Sequence, residues 1–290
     1  MPPIVILAAL IAVIVWGASP VATKLAVNDL SPLSVSVLRT VIGGLCALPL
    51  ALLMRIPLPA TGSQRGTLFL SGFCGFIAFP LLFSIGVEKT SANHASMILA
   101  SLPLFTGAIA HLWDRKTPVM VWWAGCAVAL VGEAFLIGGR GATDQIATTE
   151  GDLLVLAGNT FAALGYVAGA RLQREGYPAT GTTFWGAAVA ALALLPIALF
   201  ISGDIVAAKA SWLAWGGVLY LALGVTIFGY VLWYFALGKG GIARMGLFQF
   251  FQPVSGVILA ALLLGETIGW SFLGASGVIM LGVWFAVRAK

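Results

Sequence analysis

Charged side chains are scarce in this chain. Lys and Arg number 15 and Asp and Glu 10 among 290 residues, 9% in all, while 60% are hydrophobic and the mean hydropathy is +1.04. That balance excludes a soluble globular domain, in which roughly a quarter of residues are charged. Histidine occurs only as His94 and His111, and Cys46, Cys74 and Cys126 all fall in apolar stretches, where cysteine behaves as a small hydrophobe. No disulfide framework, metal site or cofactor is expected. No Gly-x-x-x-x-Gly-Lys-Ser/Thr loop is present, which removes direct drive by nucleotide hydrolysis. The ~10-residue alternating strands of a membrane barrel are missing too. The net charge of +5 reads as a topological bias of the loops rather than a nucleic-acid surface.

Apolar length is what the chain does have. Ten stretches approach the ~20 residues that a helix needs to cross a bilayer. They run Ile4 to Ala26, Leu33 to Met54, Thr67 to Val87, Ala95 to Leu112, Pro118 to Ile137, Leu153 to Ala170, Thr182 to Ile201, Trp212 to Leu237, Met245 to Leu264 and Trp270 to Val287. Backbone amides in lipid must be satisfied within their own segment, so the fold class is all-α: an integral membrane protein with ten transmembrane helices. Little length remains for an aqueous catalytic domain. The longest polar stretch, Gly138 to Asp152, divides the chain into residues 1–139 and 150–290. The first apolar run has no basic flank and no clear cleavage site, and reads as a retained helix rather than a signal peptide.

Cytoplasmic loops retain basic residues. Arg55, Arg65, Arg115, Lys116, Arg171, Arg174, Lys239, Arg244, Arg288 and Lys290 fall on one side, and Lys24, Lys89, Arg140 and Lys209 on the other. Both termini are therefore expected in the cytoplasm, in a bacterial inner membrane. An offset of 150 residues relates Lys89 to Lys239 and Pro103 to Pro253, and Pro32 with Pro49 answers Pro178 with Pro196 at one residue out of step. Five crossings per copy is an odd number, so the second copy must lie inverted, the construction of many secondary carriers.

The first half contains Trp16-Gly-Ala-Ser-Pro-Val-Ala-Thr-Lys24 and Leu30-Ser-Pro-Leu-Ser-Val-Ser-Val-Leu-Arg39; the second contains Gln252-Pro253 and Leu264-Gly-Glu266. On these segments, and across nearly its whole length, the chain resembles the EamA-type family of the drug/metabolite transporter superfamily. Trp-Gly in helix 1, an Arg early in helix 2 and a Pro followed by Gly-Glu recur in that family. The first half departs from the pattern, with Asp114-Arg-Lys where the second has Gly265-Glu266. The resemblance implies cytoplasmic ends and export of small metabolites, amino acids prominent among them. Within the family the chain is most similar to bacterial aromatic amino-acid exporters.

Helix breaks at equivalent places in two halves point to a carrier's cavity. Pro20, Pro103 and Pro253 are the candidate breaks, since a mid-helix proline frees a carbonyl and kinks the axis; each is either a hinge or a static kink. Gln249 and Gln252 share a helical face near Pro253 and should point inward, toward a substrate's polar head or a neighbouring helix. Trp16 and Ser19 on helix 1, Phe79 and Phe83 on helix 3, Asn159 and Tyr166 on helix 6, and Tyr230 and Tyr234 on helix 8 form further stripes. Rings around a cavity favour flat apolar substrates and attract an ammonium, although Trp and Tyr also form interfacial belts and Phe fills cores.

Arg39 and Glu133 are the charges inside spans. At ~1.5 Å per residue both fall within about 10 Å of the expected outer surface, and a structural ion pair or snorkelling is the expectation. With no carboxylate read near the middle of the bundle, alternating access with weak or no ion coupling is expected. The expected partners are a small-molecule substrate and membrane lipid. Monomer and homodimer both stay open, with Gly125, Gly132, Gly274, Gly277 and Gly282 joining either halves or subunits. A multidrug or other metabolite exporter is the alternative. A passive channel would lack saturation, and an intramembrane serine protease at Gly274-Ala-Ser276-Gly277 would need a histidine within reach of the serine.

Overall fold

The computed structural model describes residues 2–115, 117–138, 147–240, 248–249 and 251–288. Among these the secondary structure is helical, without a strand. Eight helices are long and apolar enough to cross a membrane: α1 Pro3–Val27, α2 Pro32–Leu53, α3 Gly62–Lys89, α4 Ala92–Asp114, α5 Met120–Gly138, α6 Thr149–Arg174, α7 Ala179–Phe200 and α8 Trp212–Ala236. Two shorter apolar helices follow, α9 Phe251–Leu264 and α10 Trp270–Ala286. Ten full spans were expected from sequence; the expected start of the ninth, Met245, lies outside the described residues, as do Lys116, Arg140, Asp144, Arg244 and Lys290.

Helix starts follow capping chemistry. Ser31 accepts a hydrogen bond from the Ser34 N–H at 3.2 Å ahead of Pro32. Thr61, Ser91, Thr148 and Ser211 cap α3, α4, α6 and α8 in the same way. A short polar side chain satisfies an amide that the helix cannot, and Pro at the first position gives up only an amide that had no partner. The outward faces carry Leu53, Leu112, Phe200 and Trp270. Helices that are apolar on the outside as well as the inside suit hydrocarbon rather than water.

Inside, small residues let the backbones approach; Ala9, Ala12, Ala47, Ala129 and Ala187 are fully buried. α5 lies along α10 and α2 along α7. α3 lies on α6 as α8 lies on α1, and α4 lies on α6 as α9 lies on α1. Exchanging each helix for the one five places along leaves this set of pairs unchanged.

The α5–α10 seam depends on glycine. A Cβ on Gly282 would lie 2.3 Å from the Ala129 amide nitrogen, and one on Gly125 would lie 2.4 Å from the Ala286 nitrogen. Gly274 and Gly277 share the spacing but not the face, since a Cβ there meets nothing within 4 Å. Gly282→Ala is therefore expected to force the helices apart and lower stability by about 1–3 kcal/mol, in the range of core overpacking. Gly274→Ala should stay within about 0.5 kcal/mol of wild type. Thermal melting in detergent separates the two, and equal melting points would contradict the seam.

Candidate functional site

Several helices lose regularity where they meet. α1 breaks at Ala18, between Gly17 and Ser19. α3 widens into a π-helical turn at Phe73–Ala78 and α8 into a longer one at Tyr220–Gly229. α4 tightens to 3₁₀ geometry at Leu99–Ser101, just before Pro103. Such departures release carbonyls that hydrocarbon cannot satisfy, and side chains take them up. Trp16 Nε1 donates to the Val225 carbonyl (3.2 Å), Thr40 Oγ1 to Phe76 (2.7 Å), Thr226 Oγ1 to Leu221 (2.9 Å) and the Tyr220 hydroxyl to Val15 (2.7 Å).

These irregularities surround a cavity of about 30 Å³, room for about two waters at ~10–15 Å³ each. Trp16 and Ser19 of α1, Arg39 of α2, Gly75, Phe76 and Phe79 of α3, and Leu99 and Leu102 of α4 form part of its wall. Ala162 and Tyr166 of α6, Val225, Thr226 and Tyr230 of α8, and Gln252 of α9 complete it. Four pairs on this wall stand 150 residues apart: Trp16 and Tyr166, Gly75 and Val225, Phe76 and Thr226, Leu102 and Gln252. α9 comes close enough to deliver Gln252 because α1 has no side chain at Gly17, where a Cβ would sit 2.7 Å from the Gln252 carbonyl oxygen.

Aromatic rings dominate the wall. Trp16 stacks on Tyr166 at 6.0 Å and 18°, meets Tyr230 edge-on at 5.1 Å, and tilts against Trp233 at 5.4 Å. Phe76 tilts on Tyr230 at 5.3 Å. Arg39 lies beside Tyr230 and Tyr166, only 3% exposed, and its Nε and Nη1 have no hydrogen-bond partner.

The expected Arg39–Glu133 pair does not form among the described residues. α2 lies along α7 and α5 along α10, so similar depth does not bring the two side chains together. Snorkelling fails as well, because Glu133 is 2% exposed. Phe83 and Tyr234 are buried in the packed interior and Gln249 is half-buried, all off the cavity wall. Asn159 sits behind it, donating to the Ile98 carbonyl (3.2 Å) and Ser101 Oγ (3.0 Å). Pro20 adjoins the break in α1, Pro103 follows the tight turn in α4, and Pro253 is buried next to Gln252. The widened turns, and Leu99, Leu102 and Ala162 on the wall, were not anticipated.

A polar lattice laces one end of the bundle. Lys24 Nζ donates to the carbonyls of Val87 (2.9 Å), Glu88 (3.2 Å) and Thr90 (2.6 Å), closing the end of α3. Glu266 accepts from the amides of Ala92 and Asn93, each at 2.8 Å, and so caps α4, where the helix dipole favours a carboxylate. Asp152 accepts from Thr90 Oγ1 (2.5 Å) and faces His94 Nδ1 at 3.0 Å; Lys89 pairs with Glu150. Asp29, in the turn after α1, accepts from the Ser211 amide at 2.8 Å, and hydrogen bonding to Ser211 holds its carboxyl below the usual range. Ser276 Oγ has no hydrogen-bond partner; His94 is engaged with Asp152, and His111 lies against Trp122.

The profile of the EamA-like transporter family matches residues 3–138 and again 149–288. The chain belongs to that family. This EamA-like transporter is 32% identical over 285 residues to the uncharacterized transporter YdeK of Bacillus subtilis, covering 96% of this chain and 95% of the relative. It is 27% identical to a Salmonella typhimurium protein named as a probable amino-acid metabolite efflux pump, covering 96% and 93%. The Escherichia coli K12 protein YedA, named as an uncharacterized inner membrane transporter, is 25% identical over 96% of this chain and 88% of its own. A solved crystal structure covers 99% of both chains with a TM-score of 0.66 at 17% identity, a likeness of fold. The chain is thus a multi-pass membrane transporter.

In this EamA-like transporter, Thr40→Val preserves shape but strands the Phe76 carbonyl beside the cavity. The expected loss is about 1–3 kcal/mol, that of an unsatisfied buried polar group, read as a lower melting temperature. Thr40→Ser should restore most of it; a Val variant as stable as wild type would contradict the hydrogen bond's role.

Proposed function

We propose that the protein is a carrier exporting small carboxylate-bearing metabolites, amino acids with aromatic side chains foremost. The single observation behind this reading is the Arg39 guanidinium, buried in the cavity without a hydrogen-bond partner at Nε or Nη1 and ringed by Trp16, Tyr166 and Tyr230. A buried charge without a partner is unfavourable unless something completes it. A carboxylate fits the planar fork of a guanidinium, while the rings accept a flat apolar group by offset stacking and an ammonium by its charge. The printed name of the Salmonella relative, an amino-acid metabolite efflux pump, supports the same class.

The transport cycle we infer is alternating access between two inverted five-helix halves, residues 1–139 and 150–290, with both termini in the cytoplasm and the cell inner membrane as the location. The 150-residue spacing of wall residues and the packing that survives exchange of the halves support it. A cavity of about 30 Å³ is smaller than any amino acid, so substrate enters only when the halves rock apart.

Labelled phenylalanine counterflow in proteoliposomes at equal pH tests the anchor. Arg39→Gln should cost about 10- to 100-fold in apparent affinity, equivalent to a charge-assisted hydrogen bond of ~1.5–3 kcal/mol, and Arg39→Lys should fall between. Phenethylamine, which lacks the carboxylate, should compete poorly. Competition by phenethylamine equal to phenylalanine would remove the anchor, and resistance confined to cationic xenobiotics would favour a multidrug exporter.

A further inference from the structure

One carboxyl group inside the bundle plays no part in the cavity described above. Glu133 on α5 is 2% exposed, and neither of its oxygens has a hydrogen-bond partner. The hydroxyl of Ser101 lies close by, but it donates to the Ile98 carbonyl at 2.7 Å and accepts from Asn159 Nδ2 at 3.0 Å. Asn159 Oδ1 is buried there without a partner as well. No charged group faces Glu133 among the described residues. α10 turns Ala275, Ile279 and Val283 inward and carries Arg288 at its end, against Trp284. On α4 and α6, His94 binds Asp152, Asp114 binds Arg174, Arg171 binds Glu175 and Glu150 binds Lys89, while His111 lies against Trp122.

A carboxylate with neither water nor counter-ion is strongly disfavoured in an apolar interior, and such a group is held neutral by a proton. A structural ion pair and a snorkelled side chain would each leave a partner or exposure, and Glu133 has neither. A proton needs only one carboxyl oxygen and no coordination sphere, so it is the ligand that fits a lone carboxyl group in apolar surroundings. The site also backs onto the cavity: Ser101 lies between the wall residues Leu99 and Leu102, and Asn159 lies one turn before Ala162. A rearrangement of that wall therefore alters what Glu133 faces.

We propose that Glu133 is a proton-binding site through which substrate export is coupled to proton entry, an inference that rests on the carrier reading above. A proton from water on one face of the membrane adds to a carboxylate oxygen in one conformation. It returns to water on the other face in the second conformation, and no other bond changes. Coupling of this kind replaces the weak or absent coupling expected from sequence, where Glu133 is read as paired or snorkelled and no carboxylate is placed near the middle of the bundle.

Infrared difference spectra of the purified protein, recorded as pH is stepped from acid to alkaline, test the site without any substrate. Wild type should show a protonated-carboxyl stretching band that disappears on the alkaline side. Glu133→Gln should lack that band and Glu133→Asp should keep one, shifted. Identical spectra for wild type and Glu133→Gln would overturn the proton site. In proteoliposomes an imposed proton gradient should drive phenylalanine accumulation by wild type. Glu133→Gln should lose that accumulation while equal-pH counterflow stays within about threefold of wild type, which also reports correct folding. Counterflow insensitive to the gradient in wild type would overturn the coupling. A titrating band in a protein without phenylalanine counterflow would count against the carrier reading and leave the proton site standing.

Discussion

A carbonyl released from a helix inside hydrocarbon has to find a donor on another side chain or helix, and here two of the donors, Trp16 and Thr226, line the cavity. Trp16 reaches from α1 to the widened turn of α8, and Thr40 reaches from α2 to that of α3. Both ties place polar backbone and aromatic surface around one point. The irregular turns are stable because these side chains satisfy them, and the cavity wall is ordered because the turns hold it. Cavity and fold therefore share the same hydrogen bonds at this level of the bundle.

Two charge-bearing side chains in the bundle are left incomplete. Arg39 and Glu133 are both almost fully buried, on helices that do not pair them, and the described residues supply neither with a counter-ion. A well-packed apolar residue at either place would serve stability better. At one end of the bundle polar groups are used structurally: Glu266 caps α4, Lys24 closes α3, and Asp152 binds Thr90 and His94. Glu266 stands at the place where the halves diverge in sequence, and its contacts give it a capping role there.

Much of this was legible in the sequence because bilayer physics leaves few choices. Apolar runs of sufficient length had to be helices, and the inward logic for aromatic and amide side chains anticipated Trp16, Ser19, Phe79, Tyr166, Tyr230 and Gln252, all of which reach the cavity wall. Periodicity fixes a face of a helix but not how far that face is from a neighbour, so Phe83 and Tyr234 went into packed interior instead. Depth along a helix was equally insufficient for Arg39 and Glu133, since pairing depends on which helices touch. Gly274 and Gly282 looked alike in spacing, and only the packing separates the outward one from the seam. A π-helical turn has no compositional signature, which is why the widened segments of α3 and α8 were invisible beforehand.

The decisive measurement is an experimental structure with phenylalanine bound at saturating concentration. The carboxylate should lie within hydrogen-bonding distance of the Arg39 guanidinium, with the ring against Trp16, Tyr166 or Tyr230. Density for the amino acid with its carboxylate directed away from Arg39, or a cavity still closed around waters, would contradict the role assigned to that residue.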